Sequence, residues 1–450
     1  MRTLFLGRLC LVACLAATTG VAQATEAVSF HVQHQSVGRD LEPYGQAATP
    51  DGGSMICGEA TLVGTSASRP YVMKLDDHGA VEWCREYELL EGLHRATRVH
   101  RIATHRYAVL VDLLEVEGAA LLFIDAAGAP ASARRYFAGA APLKLLDLVP
   151  TRDAGYLMVG YTSNVQSGDD AIVLKADRFG ELQWHHRITG AIPWPRFGAD
   201  DRALGAFAAV GSSDLYVTGM FESDAWLMRL DRNGRIVFQQ TYRLSGMTIF
   251  ERGLHLHQRS RDGLRLIVQA DLRNDLFPVL LELDGDGVLQ EPTARSFPVS
   301  ATKATRTLDG GFAVSGSSLL GGGYRRTRLL KYGPDTALEW AFEYDLQPSW
   351  RRPNPPLNLL AKSGGGYLMS VSTATASELA QGVLQVEPTG GLACGATPLV
   401  GESEFIAESG SATVPTVTKA DPQWRWLDFT HTAVAVATEI LCAGPPLAGR

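Results

Sequence analysis

Residues 72–83 read VMKLDDHGAVEW, and the same arrangement returns at 172–184 as IVLKADRFGELQW and at 226–238 as WLMRLDRNGRIVF. Each copy is an apolar strand, a turn containing Asp and Gly, and a return strand with an aromatic residue four positions after the glycine. The aspartate can accept backbone hydrogen bonds in such a turn, and glycine adopts the left-handed conformation that other residues resist. Weaker copies complete the series, with turn residues Gly128, Gly287, Asp335 and Gly390. The pattern therefore predicts a β-hairpin that is repeated seven times.

A second turn signal precedes several of these hairpins. Residues 51–53, 153–155, 309–311 and 364–366 are rich in glycine, and each opens a short apolar strand. One unit is thus four short strands, and successive units are 48 to 55 residues apart. That spacing is typical of one blade of a β-propeller. We therefore predict an all-β propeller of about seven four-stranded blades, with a count of eight left open.

The aromatic residues of the return strands predict a repeated packing position. Trp83, Trp184 and Trp340 are equivalent in the repeat. A large ring on a half-buried strand face favours packing between neighbouring blades. We therefore expect these three tryptophans to lie between blades.

Both ends of the repeat region suggest how the ring closes. Residues 27–32 resemble the outer strand at 337–342 and precede the first complete unit, so we expect them to add a strand to the last blade. The propeller is predicted to span residues 25–395. Residues 396–450 form a short β extension in this interpretation, either as closing strands or as an eighth blade.

The first 24 residues have the features of an export signal. Arg2 and Arg8 accompany a short apolar stretch at 9–17, and residues 22–24 read AQA, a small-x-small cleavage site. We expect the mature chain to begin at Thr25 and to be periplasmic or extracellular. Lipidation at Cys14, within the sequence LVAC, is the alternative. The apolar stretch is too short to cross a membrane, so no membrane span is predicted.

Four cysteines remain after removal of the signal: Cys57, Cys84, Cys394 and Cys442. An even number in an oxidising compartment permits two disulfides. We expect a Cys394–Cys442 bond that staples the extension to the propeller. The pairing of Cys57 with Cys84 is left open, because they fall in strands two and four of one blade, which are not neighbours.

The two motifs together look like those of a widespread class of bacterial secreted β-propeller repeats, which carry Asp-Gly-Gly-aromatic and Lys-Leu-Asp-x-x-Gly-x-x-x-Trp. This resemblance covers roughly residues 27–395 and implies the fold but little about activity. A more distant likeness is to quinoprotein propellers. In the present chain the spacing from Asp to Trp is one residue shorter and the paired adjacent cysteines are absent, so no quinone site is predicted.

The composition and motifs exclude several function classes. A net charge of −7 with no basic stripe argues against nucleic-acid binding. Residues 284–287 could suggest a calcium loop and His255 with His257 a metal pair, but a plain turn and a strand bordering the channel are the favoured interpretations. We expect no metal and no cofactor. No catalytic motif identifies a nucleophile or an acid–base pair.

Loop lengths point to one face of the ring. Connections between strands two and three, and between blades, leave on the same side of a propeller, and the long ones are 60–70, 163–170, 191–203, 318–326 and 345–356. Trp, Tyr and Arg dominate binding hot spots, and functional residues concentrate in loops on rigid scaffolds. The predicted binding residues are Trp194, Arg196, Tyr324, Arg326, Trp350 and Arg351.

Two functions are compatible with the sequence. The favoured one is a non-catalytic binding or scaffolding propeller, expected to be monomeric, that recognises a protein or a glycan. The alternative is a carbohydrate-active or quinone-dependent enzyme. Fold alone does not separate them, because propellers serve both purposes. Convergent acidic and histidine side chains in the channel would favour the enzyme.

Overall fold

The computed structural model describes residues 30–443 with gaps. The gaps are at 37, 90–91, 116–117, 140, 165–167, 190–200, 245–250, 261–262, 273–274, 291–292, 297–299, 320–324, 345–355, 363–364, 375–378, 391–395, 399–402, 409–415, 419–422, 427–429 and 434–436. All regular structure in the described part is β-strand. Among these residues there is no helix with the length and hydropathy of a membrane span.

Seven antiparallel four-stranded blades form the ring, as the repeat predicts. Blade 1 contains β2 (Arg39–Ala48), β3 (Ser54–Leu62), β4 (Ser68–Leu75) and β5 (Val81–Glu88), and blade 2 contains β6 (His94–Ala103), β7 (Arg106–Leu113), β8 (Gly118–Asp125) and β9 (Pro130–Phe137). Blade 3 contains β10 (Leu143–Pro150), β11 (Tyr156–Asn164), β12 (Gly168–Ala176) and β13 (Leu182–Thr189), and blade 4 contains β14 (Arg202–Ala208), β15 (Leu215–Phe221), β16 (Asp224–Leu230) and β17 (Ile236–Leu244).

Blades 5 to 7 complete the circle. Blade 5 contains β18 (Glu251–Ser260), β19 (Gly263–Leu272), β20 (Asp275–Asp284) and β21 (Thr293–Ser296), and blade 6 contains β22 (Ser300–Arg306), β23 (Phe312–Leu319), β24 (Arg325–Tyr332) and β25 (Leu338–Tyr344). Blade 7 contains β26 (Pro356–Ala361), β27 (Tyr367–Ala374) and β28 (Leu379–Val386), with β1 (Phe30–Gln35) as its fourth strand. The N-terminal strand therefore joins the last blade, which confirms that expectation.

Closure of the ring is visible at its centre. The first strand of every blade contacts the first strands of both neighbouring blades, so these seven strands surround the axis. The core is divided among seven apolar clusters in the described residues, and each lies between two adjacent sheets. Burial between blades, rather than within any one blade, holds the ring together, since a single sheet cannot cover its own apolar faces.

The hairpin turns have the hydrogen bonds that their sequence predicts. Asp177 Oδ1 accepts the backbone N–H groups of Phe179 and Glu181, each at 2.8 Å. Gly180 has φ +79°, in the left-handed region. Four of these turns, at Gly128, Gly180, Gly287 and Gly390, also tie two blades together through a tyrosine. For example, the Tyr136 hydroxyl of blade 2 donates to the carbonyl of Gly180 in blade 3 at 2.7 Å. The repeated Asp and Gly thus set both the hairpin and the blade-to-blade contact.

A second repeated network explains the Lys of the Lys-Leu-Asp motif. In blade 6, Asp309 accepts hydrogen bonds from the Thr307 hydroxyl and the Gly311 N–H, and its Oδ2 lies 2.7 Å from the buried Lys331 ammonium. Burial opposes ionisation of Asp309, but the hydrogen bonds from Lys331 and Thr307 outweigh it and lower its pKa to about 2. Blades 1 and 3 repeat the ion pair, with Lys74 to Asp51 and Lys175 to Asp153.

Asp309→Asn is expected to lower the free energy of unfolding by only about 1 kcal/mol at pH 7, because the carboxylate is well exposed and its ion pair is screened. The native pKa of Asp309 is depressed, so its stabilisation is present above the ordinary carboxyl pKa of about 3.9 and is lost as the pH falls through about 2. Urea unfolding of parent and variant at pH 7 and at pH 2.5 measures this, and the difference should shrink at the lower pH. Asp286→Asn, whose side chain is 84% exposed, is the control. A constant difference at both pH values would contradict the proposed pairing.

The tryptophans occupy one repeated position between blades, as the sequence predicts. Trp83 donates its indole N–H to the carbonyl of Ala126 in the next blade at 3.1 Å. A Cβ on Gly234 of blade 4 would lie 2.6 Å from the Trp184 ring of blade 3. The Trp340 ring lies against Tyr367 of blade 7. Each indole therefore covers part of the neighbouring blade.

Strands beyond residue 395 pair one at a time with the outer edges of blades. They are β29 (Ala396–Pro398), β30 (Ser403–Glu408), β31 (Thr416–Thr418), β32 (Gln423–Trp426), β33 (Thr430–Ala433) and β34 (Ala437–Ala443). Their partners run backwards around the ring, from blade 6 through blades 5 and 4, 3, 2 and 1 to blade 7. Within the described residues these strands form no blade of their own.

Cys57 and Cys84 do not form a disulfide. Cys57 and Cys84 are both buried free thiols, since they lie in β3 and β5 with β4 between them. Cys394 lies outside the described residues, so the Cys394–Cys442 bond stays a prediction. The export signal at 1–24 also lies outside them.

Candidate functional site

Every first strand contains one extra residue at an equivalent point, where the pairing register with the second strand shifts. Such β-bulges bend a strand and redirect its side chains, and they are common beside functional sites. We call the seven residues that directly follow the extra ones the channel ring. They are Gly45, Arg98, Asp147, Gly205, His255, Lys303 and Asn358.

In blades 1, 3, 4 and 6 the second-strand residue that pairs just before the bulge is glycine, whereas blades 2, 5 and 7 have valine there. In blade 3, Leu145 pairs with Gly160 just before the register shift. A Cβ on Gly160 would lie 1.9 Å from the carbonyl oxygen of Lys144, so the bulged strand passes where a side chain would stand. In blades 1 and 4 a Cβ added to Gly58 or to Gly219 would likewise clash with a carbonyl oxygen of the first strand, that of Glu42 or that of Arg202. These glycines allow the first strand to approach closely and so help to position the channel ring.

Arg98 and Asp147 link four blades inside the channel. The Arg98 Nε donates to Asp147 Oδ1 at 2.7 Å, and its Nη1 donates to the carbonyl of Tyr44 at 3.3 Å. Asp147 Oδ2 accepts the backbone N–H of Ala206 at 2.9 Å. Burial opposes ionisation of Asp147, but the charge of Arg98 leads the effects that lower its pKa. The carboxylate is therefore ionised and has both oxygens engaged.

Lys303 and His255 reach the same space from the opposite side of the ring. Burial, followed by the positive charge of Arg98, lowers the pKa of Lys303 to about 7, against the effect of Asp147. Burial, followed by the neighbouring His257, lowers the pKa of His255 to about 3. Lys303 belongs to blade 6 and Asp147 to blade 3, which are not neighbours, so their interaction runs across the central axis.

His100 adds a further imidazole two residues along the first strand from Arg98. Burial lowers the pKa of His100. The negative charge of Asp147 acts against this shift, and the positive charge of Arg98 adds to it. His100 and His255 are thus neutral near pH 7 and offer one N–H donor and one acceptor each. The channel therefore brings together a paired guanidinium, a lysine close to half-protonation and two neutral imidazoles.

The two histidines that the sequence singled out, His255 and His257, have different surroundings in the structure. Among the described residues no three His, Cys, Asp or Glu side chains are grouped as metal ligands. His257 does not act beside His255: its ring bonds the carbonyl of Gly310 in the next blade at 3.2 Å. As expected from the sequence, β18 borders the channel.

The six residues predicted to bind a partner are almost entirely outside the described part of the chain. Trp194, Arg196, Tyr324, Trp350 and Arg351 all fall in the gaps, and Arg326 is placed only by its backbone in β24, opposite Ser318. The connections that contain the other five do join strands two and three or successive blades, whereas the predicted long loops at 60–70 and 163–170 are shorter than expected, because the flanking strands leave only 63–67 and 165–167 between them. In an antiparallel ring those connections share one face, which we call the long-loop face.

A cleft of about 760 Å³ lies on the other face, between blades 3 and 4. Lys175, Asp153 and Asp214 line it. Lys175 is already paired with Asp153, and Asp214 is paired with Arg229 at 2.8 Å. These three charged groups thus already have partners within the protein, and we regard the channel, not this cleft, as the candidate site.

The channel ring was not identified from the sequence, although a signal was present. Gly45, Asp147 and Lys303 each stand six residues before the aspartate of the first turn in their blade. When the repeats are aligned on that turn, this position holds unlike residues (Gly, Asp, Lys) within a regular framework. Such variation at one position of an otherwise regular repeat is expected if each blade contributes a different side chain to a shared site.

No protein-family model matches this chain, and no match was found among curated proteins. Among solved structures, the chain is similar to the β-propeller domain of the Trilobed protease from Pyrococcus furiosus, which is described as having an open velcro topology. The TM-score is 0.42 at 10% identity, and the similarity covers 78% of this chain and 94% of that one. The propeller assignment rests on the strand order and ring closure of this chain itself.

Proposed function

We propose that this protein is an exported, non-catalytic binding or scaffolding propeller that recognises a protein or a glycan through its long-loop face. The observation that supports this most is the contrast between the two faces. On the opposite face most turns are short, and their aspartates are engaged by backbone N–H groups or by buried lysines, as with Asp309 and Lys331. The two longest connections, 190–201 and 345–355, leave on the other side, where a rigid ring can present variable loops.

The proposal is tested by the Trp350→Ala/Arg351→Ala double variant on a glycan array and in pull-downs from the native extracellular fraction. We expect the parent to retain a ligand that the variant captures at least about tenfold less, because aromatic and arginine anchors dominate such interfaces. Raised salt should weaken binding, since exposed charge pairs are screened within about 8–10 Å.

A matched control lies on the opposite face. Arg178 stacks over Phe179 at 4.6 Å, and the Phe179 ring is 53% exposed. The Arg178→Ala/Phe179→Ala variant removes the same kind of residue pair and should leave binding unchanged. Equal loss in both double variants, or no loss in either, would refute the assignment of the long-loop face.

An enzyme is the second candidate, and one observation favours it. Asp147, His255 and Lys303 converge in the channel, as acid–base groups of a propeller enzyme would. We rank this function below binding because both oxygens of Asp147 are engaged by Arg98 and Ala206. Turnover of any member of a polysaccharide panel by the parent, abolished in Asp147→Asn, would reverse this order.

A further inference from the structure

We propose that the channel ring binds an anionic oxygen group (a sulfate, a phosphate or a carboxylate) between Lys303 and Arg98. This site is separate from the long-loop face and does not depend on the ligand of that face. It would accept either a free inorganic anion or the acidic group of a larger molecule such as an acidic sugar, because both present the same charged oxygens.

The charge balance of the channel is the first argument. Two cationic side chains, Arg98 and Lys303, act on one carboxylate, Asp147. That carboxylate is already neutralised by Arg98 and held by the Ala206 N–H. When Lys303 is protonated, this cluster therefore has an excess positive charge. Enclosed charge without a counter-ion is costly, and an anion in the channel would remove that cost.

Unused hydrogen-bond donors are the second argument. The Lys303 ammonium makes no hydrogen bond or ion pair with any described residue, although it has three donors. The His255 ring contacts Phe207 edge-on at 5.0 Å between centroids but has no hydrogen bond to a described residue. Two neighbouring blades thus present N–H groups from which an oxyanion could accept hydrogen bonds.

The pH dependence of this site follows from the groups that face Lys303. They are Arg98, Asp147 and His255, and His100 lies beside Arg98 and Asp147 in the same channel, with a pKa that burial lowers below its ordinary value. His255 has a pKa of about 3, and the pKa of Asp147 is lowered, so neither changes charge between pH 6 and pH 8. Guanidinium groups remain protonated in proteins throughout that range. Lys303, with a pKa of about 7, is the group that titrates, and the anion should bind its protonated form.

Equilibrium dialysis of the full chain against radiolabelled sulfate tests the proposal, because the charge of sulfate is constant between pH 6 and pH 8. We expect one sulfate per chain, bound about tenfold more weakly at pH 8 than at pH 6, since about a tenth of a lysine remains protonated one pH unit above its pKa. Lys303→Gln should abolish binding at both pH values. Lys144→Gln removes the same charge from another first strand and should leave the affinity within about twofold.

Lys303→Arg separates a direct role from a structural one. This variant keeps a positive charge at every pH in the range, so sulfate binding should persist and no longer depend on pH. Displacement of sulfate by glucuronate but not by glucose would support an acidic sugar as the source of the anion, and displacement by phosphate alone would support a free inorganic ion. Equal sulfate binding by the parent and Lys303→Gln, or an unchanged pH profile in Lys303→Arg, would overturn the proposal. The Trp350→Ala/Arg351→Ala variant should still bind sulfate, which keeps the two proposals independent.

Discussion

Gly160→Ala is expected to destabilise the protein by about 4 kcal/mol, comparable to the larger effects known for single substitutions. The added Cβ would stand 1.9 Å from the Lys144 carbonyl and 2.8 Å from the Leu145 Cα. Both obstructing atoms belong to the backbone, so the clash can be relieved only if the first strand of blade 3 moves away from its bulged path. The midpoint of guanidinium unfolding measures the change.

Gly211→Ala is the control for the general cost of this replacement. Its φ is +88°, and no atom lies within 4 Å of the place that an added Cβ would take, so it should cost only about 1 kcal/mol of backbone strain. In blade 2 the position equivalent to Gly160 is Val111, opposite Ala96. If Gly160→Ala proved as stable as Gly211→Ala, blade 3 would accept a side chain at this position as blade 2 does. The bulge would then not depend on the close approach of the first strand to residue 160.

Trp184→Ala is expected to cost about 3 kcal/mol, the lower end of the range for removal of a packed tryptophan, because this ring is only partly buried. The indole lies over Gly234 of the next blade and near His186, with ring centroids 5.4 Å apart. Its loss would uncover the apolar surface between blades 3 and 4. Thermal melts of parent and variant measure the effect, and Phe179→Ala, an exposed aromatic in the same blade, should be close to neutral.

The contact can be isolated with a double-mutant cycle. Gly234→Ala should be costly in the parent, because the new Cβ would meet the Trp184 ring at 2.6 Å. In the Trp184→Ala background it should cost only the strain of φ +81°. Additive effects would mean that the ring does not press on Gly234, and the inferred packing between blades would be wrong.

The sequence alone was enough to predict the strands, the turns and about seven blades, and the structure decided between seven blades and eight. Hairpins depend on residues a few positions apart, so Asp177 and Gly180 could be recognised as a turn without knowledge of the rest of the chain. The same reasoning placed Trp184 on a face between blades and the N-terminal strand in the last blade. These features repeat, and repetition made weak local signals add up.

Only the tertiary structure revealed the channel ring. Arg98, Asp147 and Lys303 are separated by whole blades along the chain, and no local pattern says that they meet across one axis. Their convergence depends on seven bulges that turn the first strands inward and on closure of the ring by β1. The charge state of Lys303 follows from that enclosure, because a lysine in water would keep its ordinary pKa. Local sequence thus specifies each blade, whereas the ring closure that joins distant blades creates the site.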